Sequence, residues 1–177
     1  MMTTSSETQA QREAGRSLNP ERRTGWAWAL ATFFGTGFLK PGPGTWGSAA
    51  AVLLWLAAAH WGHFSQMQLS LRTLAAAVLV TLIGIPAANI VQRESGRSDP
   101  GFVVLDEVAG QWIALAAATP RWADWVLAFL LFRAFDIVKP PPARQFDRMH
   151  SGFGIMMDDV AAGIYAMLVI WLLRPWL

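Results

Sequence analysis

Residues 73–92 read TLAAAVLVTLIGIPAANIVQ, an uncharged stretch bracketed by Arg72 and Arg93. At about 1.5 Å of rise per residue, a helix of this length spans roughly 30 Å, the thickness of a bilayer's hydrocarbon core. Pro86 and Asn89 within it favour a kink or a packed environment. The remaining apolar runs are shorter: Ala49 to Trp61, Val103 to Thr119, Trp122 to Phe135 and Val160 to Leu173. They suit buried core helices. Strand signals are weak, with no sustained apolar–polar alternation and no Asn-Gly hairpin. The expectation is an all-α fold: a compact, membrane-associated bundle of about five to seven helices.

Composition agrees with a bundle that meets lipid. Hydrophobic residues make up 54% of the chain and charged residues 15%, well below the usual quarter charged. Ten Trp stand against one Tyr, and the closing Arg174-Pro175-Trp176 reads as an interfacial anchor. A formal charge of +2, without a basic block or an aromatic–basic stripe, argues against nucleic acid as a partner. The absence of cysteine excludes a disulfide scaffold, a thiol nucleophile and thiolate metal sites. Residues 1–24 are polar and without apolar periodicity, and read as a disordered tail. Residues 25–177 read as one helical domain. Arg22-Arg23 ahead of Trp26 loosely resembles a twin-arginine signal. With Gly35-Thr36-Gly37 interrupting the apolar segment, a basic flank beside a first helix is the favoured reading.

Against this background the acidic residues stand out. Asp106-Glu107, Asp136, Asp147 and Asp158-Asp159 all lie beside long apolar runs. A carboxylate in such surroundings is costly unless something pairs with it. Each cluster alone has a structural reading. Arg133, Asp136 and Lys139 are spaced for an ion-pair ladder at a helix end. A helix is expected to start near Asp158-Asp159, so that one of the two would serve as a cap. Asp106-Glu107 is expected a turn inside its helix, beyond the reach of a capping role. Jointly the acids ask for more than caps, because nearby cations are few. A hard divalent ion, Mg²⁺, bound by carboxylates and a phosphate resolves the conflict. The segments Asp106-Glu107-Val108-Ala109-Gly110 and Asp158-Asp159-Val160-Ala161-Ala162-Gly163 echo each other. In both, small residues would let helix backbones approach and bring the acidic pairs to one site.

Between Gly35 and Gly47 the density of Gly and Pro predicts a loop rather than a helix. It lacks the Walker order. It is either a connector or a nest of backbone N–H groups, with Lys40, Thr45 and Ser48 placed to receive a phosphate at the start of the next helix. His60, His63 and His150 read as interfacial or loop residues. Several phosphatase chemistries are excluded. There is no cysteine for a Cys-x5-Arg enzyme, no Asp-x-Asp for an aspartyl-phosphate route, no Ser-Gly-His order, and no Asp-Gly-x2-Ala-Arg signature. Metal-assisted attack of water on a phosphoester remains.

The ordered blocks Gly42-Pro43-Gly44-Thr45-Trp46-Gly47-Ser48, Val104-Leu105-Asp106-Glu107-Val108-Ala109-Gly110-Gln111-Trp112, Phe132-Arg133-Ala134-Phe135-Asp136-Ile137-Val138-Lys139-Pro140 and Gly152-Phe153-Gly154-Ile155-Met156-Met157-Asp158-Asp159 resemble those of bacterial phosphatidylglycerophosphatase A. The resemblance implies a helical, Mg²⁺-dependent phosphatase of the bacterial inner membrane, its site towards the cytoplasm. Such an enzyme removes the terminal phosphate of phosphatidylglycerophosphate to give phosphatidylglycerol. It further implies Asp106, Glu107, Asp136, Asp158 and Asp159 as metal-binding and water-activating acids, with Glu107 orienting or deprotonating the water. Lys139 is implied to offset phosphate charge, and Lys40, Thr45 and Ser48 to lie on the phosphate side. Two other readings stand beside it: a Mg²⁺-dependent hydrolase of a soluble phosphate ester or pyrophosphate, and a non-enzymatic membrane helix bundle whose acids are packing pairs or an ion path.

Overall fold

The computed structural model describes residues 23–176. Among them are seven α-helices and no strand: α1 (Gly25–Ala31), α2 (Pro43–Trp61), α3 (Gln66–Ser95), α4 (Leu105–Leu115), α5 (Trp122–Val138), α6 (Ala143–Asp147) and α7 (Gly152–Leu173). Short 3-10 turns cover Thr36–Phe38 and Arg174–Trp176. The expected all-α bundle is the fold found. The expected polar tail lies, up to residue 22, outside the described residues. At Thr24, the backbone N–H donates to Glu94 Oε2 at 2.9 Å, and Trp28 Nε1 donates to the same oxygen at 2.6 Å, tying the start of α1 to the end of α3.

The uncharged stretch lies inside α3. A capping box opens this helix: Gln68 N donates to Ser65 Oγ at 3.3 Å, and Ser65 N donates to Gln68 Oε1 at 3.1 Å. Gly96, left-handed at φ +67°, closes it. Pro86 is accommodated within the helix, and Asn89 serves packing, its Oδ1 accepting from Gly152 N at 2.8 Å. α3 and the segment Gly152–Trp176 are both long and apolar enough to cross a membrane. α3 leaves Met67, Leu71, Val78, Leu79 and Leu82 exposed, a stripe at helical spacing that no other part of the described chain covers.

The Gly/Pro segment departs from the expected loop. α2 begins at Pro43, six residues ahead of the anticipated start, and runs through Gly44 and Gly47. Pro at the first helical position has its φ already set. The glycines are used for contact: a Cβ on Gly47 would lie 2.9 Å from Val104 Cβ. α7 likewise starts early, at Gly152, with Ser151 Oγ accepting from Gly154 N at 3.2 Å. Here too close approach explains the glycines. A Cβ on Gly152 would lie 2.8 Å from Asn89 N, and one on Gly154 2.6 Å from Phe146 O. Packing thus overrides the low helix propensity of glycine.

α4 is the central helix, packed against α2, α3, α5 and α7. The largest core cluster joins Trp55, Leu115, Phe132 and Ile170 from α2, α4, α5 and α7. Full burial of a side chain of this kind contributes about 1.5–3 kcal/mol. Chain direction alternates so that α2, α4 and α7 begin, and α3 and α5 end, at one end of the bundle. Exposed Trp26 and Trp46 flank that end; exposed Trp61, Trp122, Trp171 and Trp176 flank the other.

Candidate active site

A cleft of about 300 Å³ opens where these helix ends meet. Asp106 and Glu107 come from the first turn of α4, Asp136 from the last turn of α5, and Asp158 and Asp159 from the second turn of α7. Two local expectations are corrected. Asp106-Glu107 sits in the first turn of its helix rather than a turn inside, because α4 starts at Leu105. Val104 precedes that start, its N–H bonded to Ala31 O at 2.8 Å, and it caps with no side chain. Asp158-Asp159 does not cap a helix start, since Ser151 does so about two turns earlier.

Among the described residues, the carboxylates of Asp106, Glu107 and Asp159 converge, each offering an oxygen within 4.8 Å of the others. Glu107 Oε2 is buried and has no hydrogen-bond partner. The other two acids line the same cleft but already have cations. Arg133 Nη1 lies 2.8 Å from Asp136 Oδ2 and 4.0 Å from Glu107 Oε1. The first is an ion pair out of line for a hydrogen bond. Lys139 Nζ donates to Asp158 Oδ2 at 2.6 Å and also pairs with Asp147. Lys139 ends α5 in the left-handed region, φ +49°, which turns its side chain towards α6 and α7. Of the expected Arg133–Asp136–Lys139 ladder, the Arg133–Asp136 rung is present, whereas Lys139 pairs with Asp158 and Asp147 instead of Asp136.

Burial dominates the electrostatics. It pushes the Glu107 carboxyl up to about 8, with the charges of Asp159 and Asp136 adding to the shift. Asp106 is raised for the same reason, with Glu107 contributing next. For Lys139, burial opposes the charged form but is outweighed by Asp147 and Asp158, which hold its pKa above the usual lysine range. Seven carboxylates line the cleft (Asp99, Asp106, Glu107, Asp136, Asp147, Asp158 and Asp159), with Lys139 the one lysine or arginine among the lining residues. Such a cleft repels an anion unless further positive charge is supplied. The donor set fits that supply: convergent hard oxygens and an unpartnered buried carboxylate oxygen suit Mg²⁺.

The three phosphate-side candidates of the Gly/Pro segment do not enter this cleft. Ser48 is fully buried, and its Oγ donates to Gly44 O at 2.9 Å. Thr45 is exposed beside Trp46. Lys40 lines a neighbouring pocket. The segment reaches the site through Gly44 instead, where a Cβ would stand 2.9 Å from Glu107 Cδ and 3.2 Å from Arg133 Nη1. Arg133, Gly44 and the cleft-lining Ser98, Asp99 and His150 were not singled out as site residues by the sequence. For Arg133 the signal was present, since a lone arginine in an apolar helix needs an acid. Gln111, one turn after Glu107, is fully buried with neither amide atom hydrogen-bonded by protein.

The family profile described as Phosphatidylglycerophosphatase A matches residues 29–174. The chain belongs to this family. Among relatives, the Phosphatidylglycerophosphatase A of Haemophilus influenzae is 40% identical over 84% of this chain and 88% of its own length. That of Escherichia coli is 37% identical over 76% of each chain. A third relative, from Bacteroides thetaiotaomicron and provisionally named a phosphatidylinositol-3-phosphatase, is 42% identical over 80% of this chain and 89% of its own length. No solved structure matches. Members of the phosphatidylglycerophosphatase A family are phosphatases, and this chain is one of them.

Proposed function

We propose that this chain hydrolyses the terminal phosphomonoester of phosphatidylglycerophosphate, yielding phosphatidylglycerol, with Mg²⁺ held by Asp106, Glu107 and Asp159. The observation that carries the reading is the convergence of those three carboxylates around an unpartnered Glu107 oxygen. The names of the Haemophilus and Escherichia relatives supply the lipid. A divalent cation there supplies positive charge for the phosphoryl oxygens and lowers the pKa of water.

The protein's own groups do the rest. Lys139, fixed between Asp147 and Asp158, places its ammonium beside the phosphate. Arg133 neutralises Asp136 and steadies Glu107. Water forms the new bond to phosphorus as the bond to the glycerol oxygen breaks. One carboxylate of the cluster takes the water's proton and returns it to the glycerol oxygen, which leaves as a hydroxyl. The N-termini of α4 and α7 present their positive dipole ends to the same region.

The bilayer reading is supported by the two long apolar helices, by the exposed stripe on α3 and by Trp at both ends of the bundle. We place the cleft end in the bacterial cytoplasm. Arg23, Lys40, Arg93, Arg97, Arg133, Lys139, Arg144 and Arg148 belong to that end, against Arg72, Arg121 and Arg174 at the other, the asymmetry expected of a cytoplasmic face.

Phosphate release from phosphatidylglycerophosphate in mixed micelles tests the proposal. EDTA should abolish it and Mg²⁺ restore it. Asp106→Asn and Asp159→Asn should each lower turnover by about 100-fold or more. Near-normal turnover in both variants removes the site. The Bacteroides relative makes an inositol phospholipid bearing a phosphomonoester the second substrate to assay; faster release from it would reassign the head group while keeping the chemistry.

A further inference from the structure

Beside the acidic cleft lies a second pocket of about 220 Å³, lined by Lys40 and Arg97 together with Gly37, Phe38, Gly101 and Phe102. Its charge is opposite to that of its neighbour. Among the described residues neither Lys40 nor Arg97 makes an ion pair. Two cations lining one pocket repel each other unless an anion lies between them.

The pocket is built rather than incidental. Trp28 stacks on Phe102 with ring centroids 5.3 Å apart, and Phe38 packs on the same ring at 5.7 Å. A Cβ on Gly37 would lie 2.9 Å from the Phe102 carbonyl carbon, so the turn seats tightly against this wall. The Arg97 guanidinium sits 5.8 Å over the Phe102 ring. Gly101 lines both the pocket and the acidic cleft. It presents no side chain, and nothing lies within 4 Å of where a Cβ would stand. At the pocket Phe38 is exposed, as is Leu39 between the lining Phe38 and Lys40, as befits a surface at the level of lipid head groups.

We infer that Lys40 and Arg97 bind the phosphodiester of the lipid substrate while its terminal phosphate lies in the acidic cleft. The inference rests on the proposed reaction, whose substrate carries two phosphates one glycerol apart. It assigns them to two adjoining sites of different chemistry: the monoester to carboxylates and a divalent ion, the diester to fixed side-chain cations. A bidentate arginine and a lysine are the side chains suited to a singly charged diester. The exposed apolar rim then faces the acyl chains.

The test uses the full chain in detergent, with Lys40→Ala/Arg97→Ala and the charge-retaining Arg97→Lys. For phosphatidylglycerophosphate, KM should rise about tenfold in the double variant with a far smaller fall in kcat, and Arg97→Lys should recover part of the loss. Direct binding of glycerophosphoglycerol, a phosphodiester with no terminal phosphate, gives a readout independent of turnover. The wild type should bind it, and the double variant about tenfold more weakly. A fall in kcat at unchanged KM, undiminished binding by the double variant, or no binding by the wild type overturns the inference. Binding that depends on Lys40 and Arg97, in a protein that releases no phosphate from the lipid, would sink the proposed reaction and leave the diester site standing.

Discussion

A Cβ placed on Gly163 would lie 2.9 Å from the Cα of Gly110 and would clash with its carbonyl oxygen. α4 and α7 therefore meet backbone to backbone. Asp106 stands one turn before Gly110, and Asp159 one turn before Gly163. Wherever the glycines touch, the carboxylates one turn above them are brought together as well. The acidic cluster is a consequence of this contact.

Gly163→Ala should therefore disturb both fold and site. The obstacle is backbone, which cannot swing aside, so the helices must part. Overpacking of this kind costs about 1–3 kcal/mol. Thermal unfolding in detergent should show a lowered Tm, and the stabilisation gained on adding Mg²⁺ should shrink as the carboxylates separate. A variant with native Tm and native Mg²⁺ response would show that the contact does not set the site.

Gly44→Ala should separate catalysis from stability. Its methyl would meet the Glu107 carboxylate rather than backbone, and a side chain can move. The helix gains a better former at that position, which offsets part of any strain. The displaced Glu107 should nevertheless lower kcat/KM by about 100-fold, the scale expected for a misplacement of about 1 Å. A full-activity variant would exclude Glu107 from the working cluster.

Metal removal should make stability depend on pH with a definite sign. Glu107 titrates near 4.5 when unfolded, but burial raises it to about 8 in the folded chain. Between these values the folded, cation-free protein holds a proton that the unfolded chain has released. Its stability is then fullest below the lower value and declines as pH rises towards the upper one. A bound divalent ion takes the proton's place, so the Tm increase on adding Mg²⁺ should grow over the same window. A Tm that stays flat with pH in EDTA, from about 5 to 8, would contradict this.

Lys139 and its two acids should respond unequally. Asp158 is buried and Asp147 exposed. Lys139→Met leaves Asp158 buried without its cation, and should reduce both Tm and turnover, whereas Lys139→Arg should retain part of each. Asp147→Asn removes only the exposed partner and should change stability by about 0.5 kcal/mol or less. Equal losses from Lys139→Met and Asp147→Asn would contradict the assignment of Asp158 as the partner that matters.

How much of this was legible varies by element. The length and uncharged character of residues 73–92 were enough to specify α3. The echo of Asp106 through Gly110 in Asp158 through Gly163 was enough to foresee that two acidic pairs share a site. The helix beginning at Pro43 was hidden, because propensity counts Gly44 and Gly47 as breakers while their use is close contact with Glu107 and Val104. The partner of Lys139 was hidden for another reason: sequence spacing points to Asp136, but the chain leaves α5 in a left-handed turn and carries the amine towards Asp147 and Asp158.

Sequence alone determined the class of fold, the identity of the acids and the apolar surroundings that make their charge costly, because these depend on composition and on periodicity along one helix. Tertiary structure decided which carboxylates converge, which already hold a cation, and that Lys40 faces a different pocket from the acids. Those outcomes depend on distances between helices, and interhelical distance is set by glycines whose contribution is the absence of a side chain.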